Sequence, residues 1–312
     1  MVLLVDSSNV ALIVGEIDVN KLIVNIRRKT LRLITIYNMK KNKFLTKCFF
    51  FYVIILFNNI YAQNKLFKYD LEYKSNQKKD SIILKKMVLD IKDVSISIFR
   101  TEQQKISDSL IAFTGLGSER DMTFESQFYV KKDMSKDEIL KSIETIFREI
   151  FFIKIDEKFD WEILPEKNKI VNFNVQKAKI NYGGRSWTAW FTTEIPIQDG
   201  PYVFKGLPGL IVKISDDKGN YNFNLTEIKN GNDKVYYRNK GLDLTWDQYK
   251  KLLENYYTDP FARIKSMGIP VKKDDGHGGM VSVDMKQESD GLRKMIRENN
   301  NPIELNHKID YK

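Results

Sequence analysis

Arg185, Trp187 and Trp190 are the side chains of this sequence best suited to holding a ligand. On a strand the first two share one face and Trp190 lies on the other. A guanidinium stacked on an indole can still grip a carboxylate or phosphate along its edge. The default alternative buries both tryptophans in a core and pairs Arg185 with an acid. Chemistry elsewhere is thinner. His277 stands beside Asp274 and Asp275 in a glycine-rich stretch, and His307 lies near Glu304. Neither histidine has a partner at zinc-site spacing, so no metal is expected. With only two histidines, both late in the chain, a serine–histidine–acid triad has little to build on. Carboxylate pairs such as Glu157 with Asp160, or Asp216 with Asp217, would need to face each other across a cleft to cleave a glycoside. Their default reading is surface or turn. No catalytic residue and no cofactor motif is assigned.

The elements that must position these residues alternate with period two. Phe67, Tyr69, Leu71 and Tyr73 point one way, and Met87, Leu89, Ile91, Val94, Ile96 and Ile98 continue the pattern. Phe124, Phe128 and Val130 follow it less cleanly. Such alternation marks half-buried antiparallel strands. Further strands are expected over 159–164, 170–182, 185–193, 209–215, 221–228 and 234–238. Gly183-Gly184 and Asp216–Asn220 supply hairpin turns, and a turn is expected around Pro165–Asn168. Ser135 with Glu138 reads as a capped helix start, followed by Ile139, Ile143, Ile146, Phe147 and Ile150 at helical spacing. Thr101 to Phe113, ended by Gly115 and Gly117, is a weaker helix candidate. Trp246, Tyr249, Leu252, Leu253 and Tyr256 define an amphipathic helix with Thr245 as its cap. Residues 268–312 read as a loop-rich or partly disordered tail with one solvated helix near 284–298.

Upstream lies an export signal. Met39-Lys40-Lys41-Asn42-Lys43 and Lys47 precede an apolar run from Cys48 to Phe57, then Ile60-Tyr61-Ala62. A basic start, a short apolar stretch and a small final residue are the parts of a secretory signal peptide. The run falls short of the roughly 20 apolar residues a membrane-spanning helix needs. Residues 1–38 are either a genuine extension or a mis-called start upstream of Met39. The second is preferred, because an export signal works best at a chain terminus. Removing 1–62 takes nine basic and three acidic residues, leaving +4 of the chain's +10. The remaining charges are interspersed, unlike a nucleic-acid face, and nucleic acid is not an expected partner. The lone cysteine, Cys48, leaves with the signal. Residues 63–267 are long enough for a single β-rich domain with one ample core.

Gly206-Leu207-Pro208-Gly209-Leu210-Ile211 reads physically as a strand entrance. Pro208 lacks an N–H, the glycines on either side permit a sharp turn, and Leu207, Leu210 and Ile211 anchor it in a core. A phosphate cradle would need a helix to follow, and Val212-Lys213-Ile214 look like strand instead. Together with Gln176-Lys177-Ala178, Gly184-Arg185-Ser186-Trp187-Thr188-Ala189-Trp190, Glu194-Ile195-Pro196-Ile197 and Asp199-Gly200-Pro201, this hexapeptide resembles the GLPGLI family of exported proteins from Gram-negative bacteria. Asn301-Pro302-Ile303-Glu304-Leu305 resembles the short motif that often closes its members. The resemblance implies export and no established activity. Members often carry a cysteine before the Gln-Lys-Ala, where this chain has Val175, which argues against a thiol-dependent role.

The fold expected is mainly β (α+β): a single curved antiparallel sheet, an open half-barrel with packed helices. The function expected is non-enzymatic, a binding or carrier role in the cell envelope for an apolar ligand, an envelope lipid or a protein partner. An interaction module for an outer-membrane receptor or secretion system is the alternative, and an envelope hydrolase ranks third. The expected location is the periplasm or outer membrane, with secretion as the other outcome.

Overall fold

The computed structural model describes residues 64–312, apart from 77–80, 93–94, 119–122, 125, 232–233 and 269. The export signal and the stretch before it lie outside the described residues. The body is mainly β, built on one open sheet of twelve strands ordered β12-β6-β5-β4-β3-β2-β1-β11-β10-β9-β8-β7. The strands are β1 (Lys65–Tyr73), β2 (Ile83–Lys92), β3 (Ile96–Thr101), β4 (Tyr129–Asp133), β5 (Glu138–Glu144), β6 (Ile150–Lys154), β7 (Glu162–Ile170), β8 (Phe173–Tyr182), β9 (Arg185–Thr192), β10 (Leu210–Asp216), β11 (Tyr221–Asn230) and β12 (Leu242–Leu244). All neighbours pair antiparallel except the edge pair β12 and β6, which is parallel. A small hairpin, β13 (Lys272–Asp274) with β14 (Met280–Ser282), stands apart.

The period-two pattern places the core. Phe67, Tyr69, Leu71 and Tyr73 of β1 are all buried, as are Met87, Leu89 and Ile91 of β2. They join Trp187, Phe191, Phe204, Tyr221 and Phe223 in one cluster on a single face of the sheet. That face is strongly concave. Lys141 on β5 and Tyr182 on β8 both bond the carboxylate of Glu304, at 2.8 and 2.9 Å. Eight inter-strand steps separate those strands, about 38 Å if the sheet were flat. One side chain reaches both, so the two arms of the sheet curl toward each other.

Helix α1 (Glu102–Thr114) lies on the convex face. Thr101 caps it with a reciprocal bond to Gln104, and Gly115 ends it in the left-handed conformation, as its glycine stop suggests. Helix α2 (Trp246–Thr258) has a matching Thr245–Gln248 capping box. It packs Tyr249 and Leu253 against Ile143 and Ile153 in a second, smaller cluster. A short helix α3 (Ala262–Ser266) and helix α4 (Met285–Glu298) complete the set.

Four expectations are corrected. No helix spans 135–150: the segment is the β5–β6 hairpin. Ser135 does not cap a helix; its hydroxyl and N–H both donate to Asp133 Oδ1, which turns the chain back into β5. Ile139 and Ile143 are four apart, a spacing that helical and strand periods both place on one face. No turn forms at Pro165–Asn168, because β7 runs through it with a register shift between Ile163 and Lys167. The strand sits at the sheet edge, where proline's missing donor costs nothing, and the turn comes instead at Val171. Residues 234–238 form no strand. Finally, the tail contains α4 near the expected place, but Asn301, Ile303 and Glu304 are buried among the core strands rather than loose.

Candidate functional site

Arg185 opens β9 immediately after the Gly183-Gly184 turn and points into the concave face, buried. Its guanidinium is spent on the chain's own C-terminal segment. Nη1 donates to Asp216 Oδ2 at 2.9 Å, Nη2 to Asn301 Oδ1 at 2.6 Å and to the Pro302 carbonyl at 2.7 Å, and Nε to the Ile303 carbonyl at 2.9 Å. It stacks on Tyr221, 5.0 Å from the ring centre, and not on an indole. Trp187 shares this face, buried against Phe204 and Tyr221 with its N–H on the Tyr182 carbonyl. Trp190 lies half-buried on the other face, paired across strands with Lys177 and Lys213. Of the three suspects, only the first two are therefore neighbours.

Two further ion pairs sit deep in the concave face. Glu304 takes Lys141 Nζ at 2.8 Å, Tyr182 OH at 2.9 Å and Tyr202 OH at 2.6 Å. Burial alone would raise its pKa, but Lys141 and the two hydroxyls outweigh that and hold the carboxyl below its ordinary value. The same burial, with the Glu304 charge, drives both tyrosines well above theirs. Lys132 pairs with Asp199 and donates to the Gly200 carbonyl at 2.7 Å. Its pKa is lowered by burial, partly offset by Asp199. Tyr202 reaches Glu304 with φ of 54°, a left-handed backbone that a non-glycine residue adopts only under constraint.

The hexapeptide at 206–211 feeds β10. Leu207, Leu210 and Ile211 are buried, and Ile211 N–H bonds the Asp199 carbonyl at 3.0 Å. Its two glycines are needed for different reasons. Gly206 has φ of 94° and open space around it, whereas a Cβ on Gly209 would meet the Thr192 carbonyl oxygen at 2.0 Å. Gly206→Ala is therefore expected to lose about 1–2 kcal/mol of stability through backbone strain. Gly209→Ala should lose about 3 kcal/mol or more, because strand β9 must move. Urea unfolding midpoints of the two variants check the ranking.

The convex face carries the second polar cluster. Arg100 on β3 bonds Asp90 Oδ2 at 2.8 Å, Asp108 of α1, and the Tyr236 carbonyl. Tyr129 OH donates to Asp108 at 2.7 Å and accepts from Arg238 N–H at 3.0 Å. The Arg238 guanidinium lies 4.3 Å over the Tyr129 ring and also pairs with Glu144. Burial opposes the Arg100 charge, yet Tyr129, Asp108 and Asp90 raise its pKa. This cluster fastens α1 and the 235–240 segment to the sheet.

Between those two elements lies an open cleft of ≈ 650 Å³. Ile111, Ala112, Leu116 and Val235 give it an apolar side, and Lys92, Arg148, Arg238 and Lys240 a basic one; Asp108 and Glu144 also line it, bonded to Arg100 and to Arg148 and Arg238 respectively. Arg148 holds a left-handed φ of 66°. Its guanidinium, bonded to Glu144 at 2.9 Å, passes so near Gly117 that a Cβ there would collide with it at 2.6 Å. Ile106, Leu110, Phe113 and Leu116 of α1 and its exit are all exposed, an apolar stripe at helical spacing. Lys92 meets the ring of Tyr237. Among the described residues neither Lys92 nor Lys240 has an acidic partner.

The remaining candidates scatter. His307 stacks flat on Trp246 at 3.9 Å, and burial lowers its pKa. His277 is exposed in the β13–β14 turn. Asp216 belongs to the Arg185 clamp while Asp217 is exposed. No group of three or more metal-ligating side chains is found among the described residues. Sequence reasoning missed Arg100, Asp108, Tyr129, Lys141 and Arg238. A signal was present for Lys141, a charge standing between Ile139 and Ile143 at core parity. For Asp108 and Arg238, which meet through tertiary contacts alone, there was none.

Residues 184–213 match the family model described as "Protein of unknown function (Porph_ging)". That stretch runs from the β8–β9 turn through the hexapeptide into β10. No curated protein matches the chain. Two solved structures of PNGF-II are similar. The one in space group P21 is 17% identical with a TM-score of 0.46, and the one in C2 is 16% identical with a TM-score of 0.47. Each alignment covers 62% of this chain and 33% of the other. The chain thus spans about a third of the length of those structures.

Proposed function

We propose that this chain is an exported cell-envelope protein of the GLPGLI type that acts by binding, and that its ligand is an amphiphile with an anionic head held in the convex-face cleft. The concave face, where a carrier of this shape would hold its cargo, is filled by Tyr202, Val203 and Phe204 and by Asn301, Ile303 and Glu304 of the C-terminal segment, all buried. The cleft is different. One observation carries the reading: an apolar wall of Ile111 and Leu116 faces Lys92 and Lys240, two cations with no acid to neutralise them among the described residues. Its volume falls in the range of small-molecule sites, roughly 300–1,000 Å³.

Leu116 and Lys240 are exposed, so Leu116→Asp and Lys240→Glu should leave thermal stability unchanged. Each is expected to weaken binding of a fluorescent fatty-acid analogue about tenfold, the equivalent of ~1.4 kcal/mol. Titration of the purified protein with the anionic analogue and with its neutral amide reads the effect. Equal binding of acid and amide, or no saturable binding of either, would overturn the proposal. A photo-crosslinker at Leu116 in intact cells separates the second reading. A lipid adduct supports the amphiphile, and a discrete protein adduct would mark an interaction module instead.

A further inference from the structure

The segment Asn301–Glu304 is held as a ligand is held. It belongs to no strand of the sheet, and its bonds run to side chains and turn carbonyls presented by separate elements. Asn301 donates to the Lys74 carbonyl at the end of β1 and accepts from Arg185 of β9, while its own carbonyl accepts from Tyr221 of β11. Arg185 takes the next two carbonyls. Glu304 then docks among Lys141 of β5, Tyr182 of β8 and Tyr202. Leu305 N–H closes the series on the Gly183 carbonyl at 2.7 Å. The Gly183 position is tailored to this passage, since a Cβ there would stand 3.1 Å from the Glu304 backbone.

We propose that this cradle is a peptide-binding site, occupied in cis by the chain's own C-terminal strap and open to the same strap from a second copy. Its chemistry defines the ligand. Arg185 offset by Asp216, plus Lys141, leave the empty cradle with one positive charge. The segment it takes must therefore carry a carboxylate, three residues after a side-chain amide, with a proline between them. Proline suits the site because the Pro302 N is not asked to donate, while its carbonyl accepts from Arg185 Nη2 at 2.7 Å. A cleft of ≈ 190 Å³ lined by Tyr73, Tyr221, Asn299 and Asn301 opens the site at the strap's leading end. The hinge for such an exchange is the exposed β13–β14 turn, residues 274–280 being exposed or nearly so, and α4, with Ser289, Leu292 and Ile296 buried, leaves together with the strap. A strap on such a tether can leave one cradle and enter another, giving a symmetric exchanged dimer.

The test cuts a protein that is already folded. A protease site placed in the exposed Asp275–Gly279 turn allows the intact chain to fold, be cleaved, and then be mixed with a labelled synthetic peptide, Asn299–Lys312. The cut protein is expected to take up the labelled peptide in exchange for its own strap, and to bind the Glu304→Lys peptide at least a hundredfold more weakly. A cut protein that stays folded and takes up neither peptide would overturn the proposal, as would equal uptake of both. Cleaved protein that unfolds as the strap departs supports it if added peptide restores the fold, and sinks it if the peptide does not. Uncut protein held at high concentration and then diluted should yield a dimer that the Arg185→Leu variant cannot form.

Discussion

Replacing Arg185 with leucine is expected to destabilise the protein by about 3–5 kcal/mol, the range for removing one member of a buried ion pair. The reason is unusual in its distribution. Asp216, the acid of the pair, keeps the Asn220 N–H at 2.6 Å, the Tyr221 N–H at 2.8 Å and the Asn220 side-chain amide at 3.1 Å. Its loss is therefore modest. The cost falls on the strap, where Asn301 Oδ1 and the carbonyls of Pro302 and Ile303 lose their shared donor inside the core. Each buried acceptor left unpaired costs about 1–3 kcal/mol. For a body of this size the total corresponds to a fall in melting temperature of about 10 °C. Calorimetry of the variant checks the magnitude. Asp216→Asn leaves the Arg185 guanidinium charged and buried without its acid and should also cost about 3–5 kcal/mol; a far smaller loss would mean that the strap's acceptors alone suffice to hold the guanidinium.

How much of this was legible in the sequence depended on whether one period or several decided the outcome. β1 and β2 were plain, because Phe67 to Tyr73 and Met87 to Ile91 alternate without conflict and each faces a single core. Both capped helices were legible for a local reason: Thr101 and Thr245 satisfy their own first turns. The β5–β6 hairpin was hidden, since Ile139, Ile143 and Phe147 fit a helix equally well and the deciding contact, Ser135 on Asp133, is a turn rather than a cap. The strap was the deepest miss. Asn299-Asn300-Asn301-Pro302 looks solvated in isolation, and nothing local says that Glu304 will meet a lysine 163 positions earlier in the chain. The default reading of Arg185, an arginine paired with an acid, describes the Asp216 contact, while the grip on the strap had no sequence signal. The convex cleft was likewise invisible, because its two walls come from α1 and from residues that form no regular element.

The second large effect is expected in acid. Glu304 is fully enclosed, with 2% of its surface exposed. Its folded-state pKa lies below the ordinary carboxyl value, because Lys141 and the hydroxyls of Tyr202 and Tyr182 outweigh the burial that would raise it. A carboxyl whose pKa is depressed by folding adds stability that is complete above its unfolded value, near pH 4.3, and is lost as pH falls through the lower folded value. Stability should therefore be flat on this account from neutrality down to about pH 5 and decline below it. Glu304→Gln removes the titration. It also leaves Lys141 charged and buried with no counter-ion, so the variant should be less stable at neutral pH by about 3–5 kcal/mol and show a shallower acid limb. Lys141→Met in the Glu304→Gln background removes that orphaned charge and should recover a large part of the loss, since a buried pair replaced by apolar groups is often close to neutral. Urea midpoints measured from pH 3 to pH 8 on the wild type, the single variant and the double variant decide it. An acid limb of the same steepness in all three would show that the strap is held by Arg185 and its carbonyl contacts alone, and that the carboxylate at its end is a passenger.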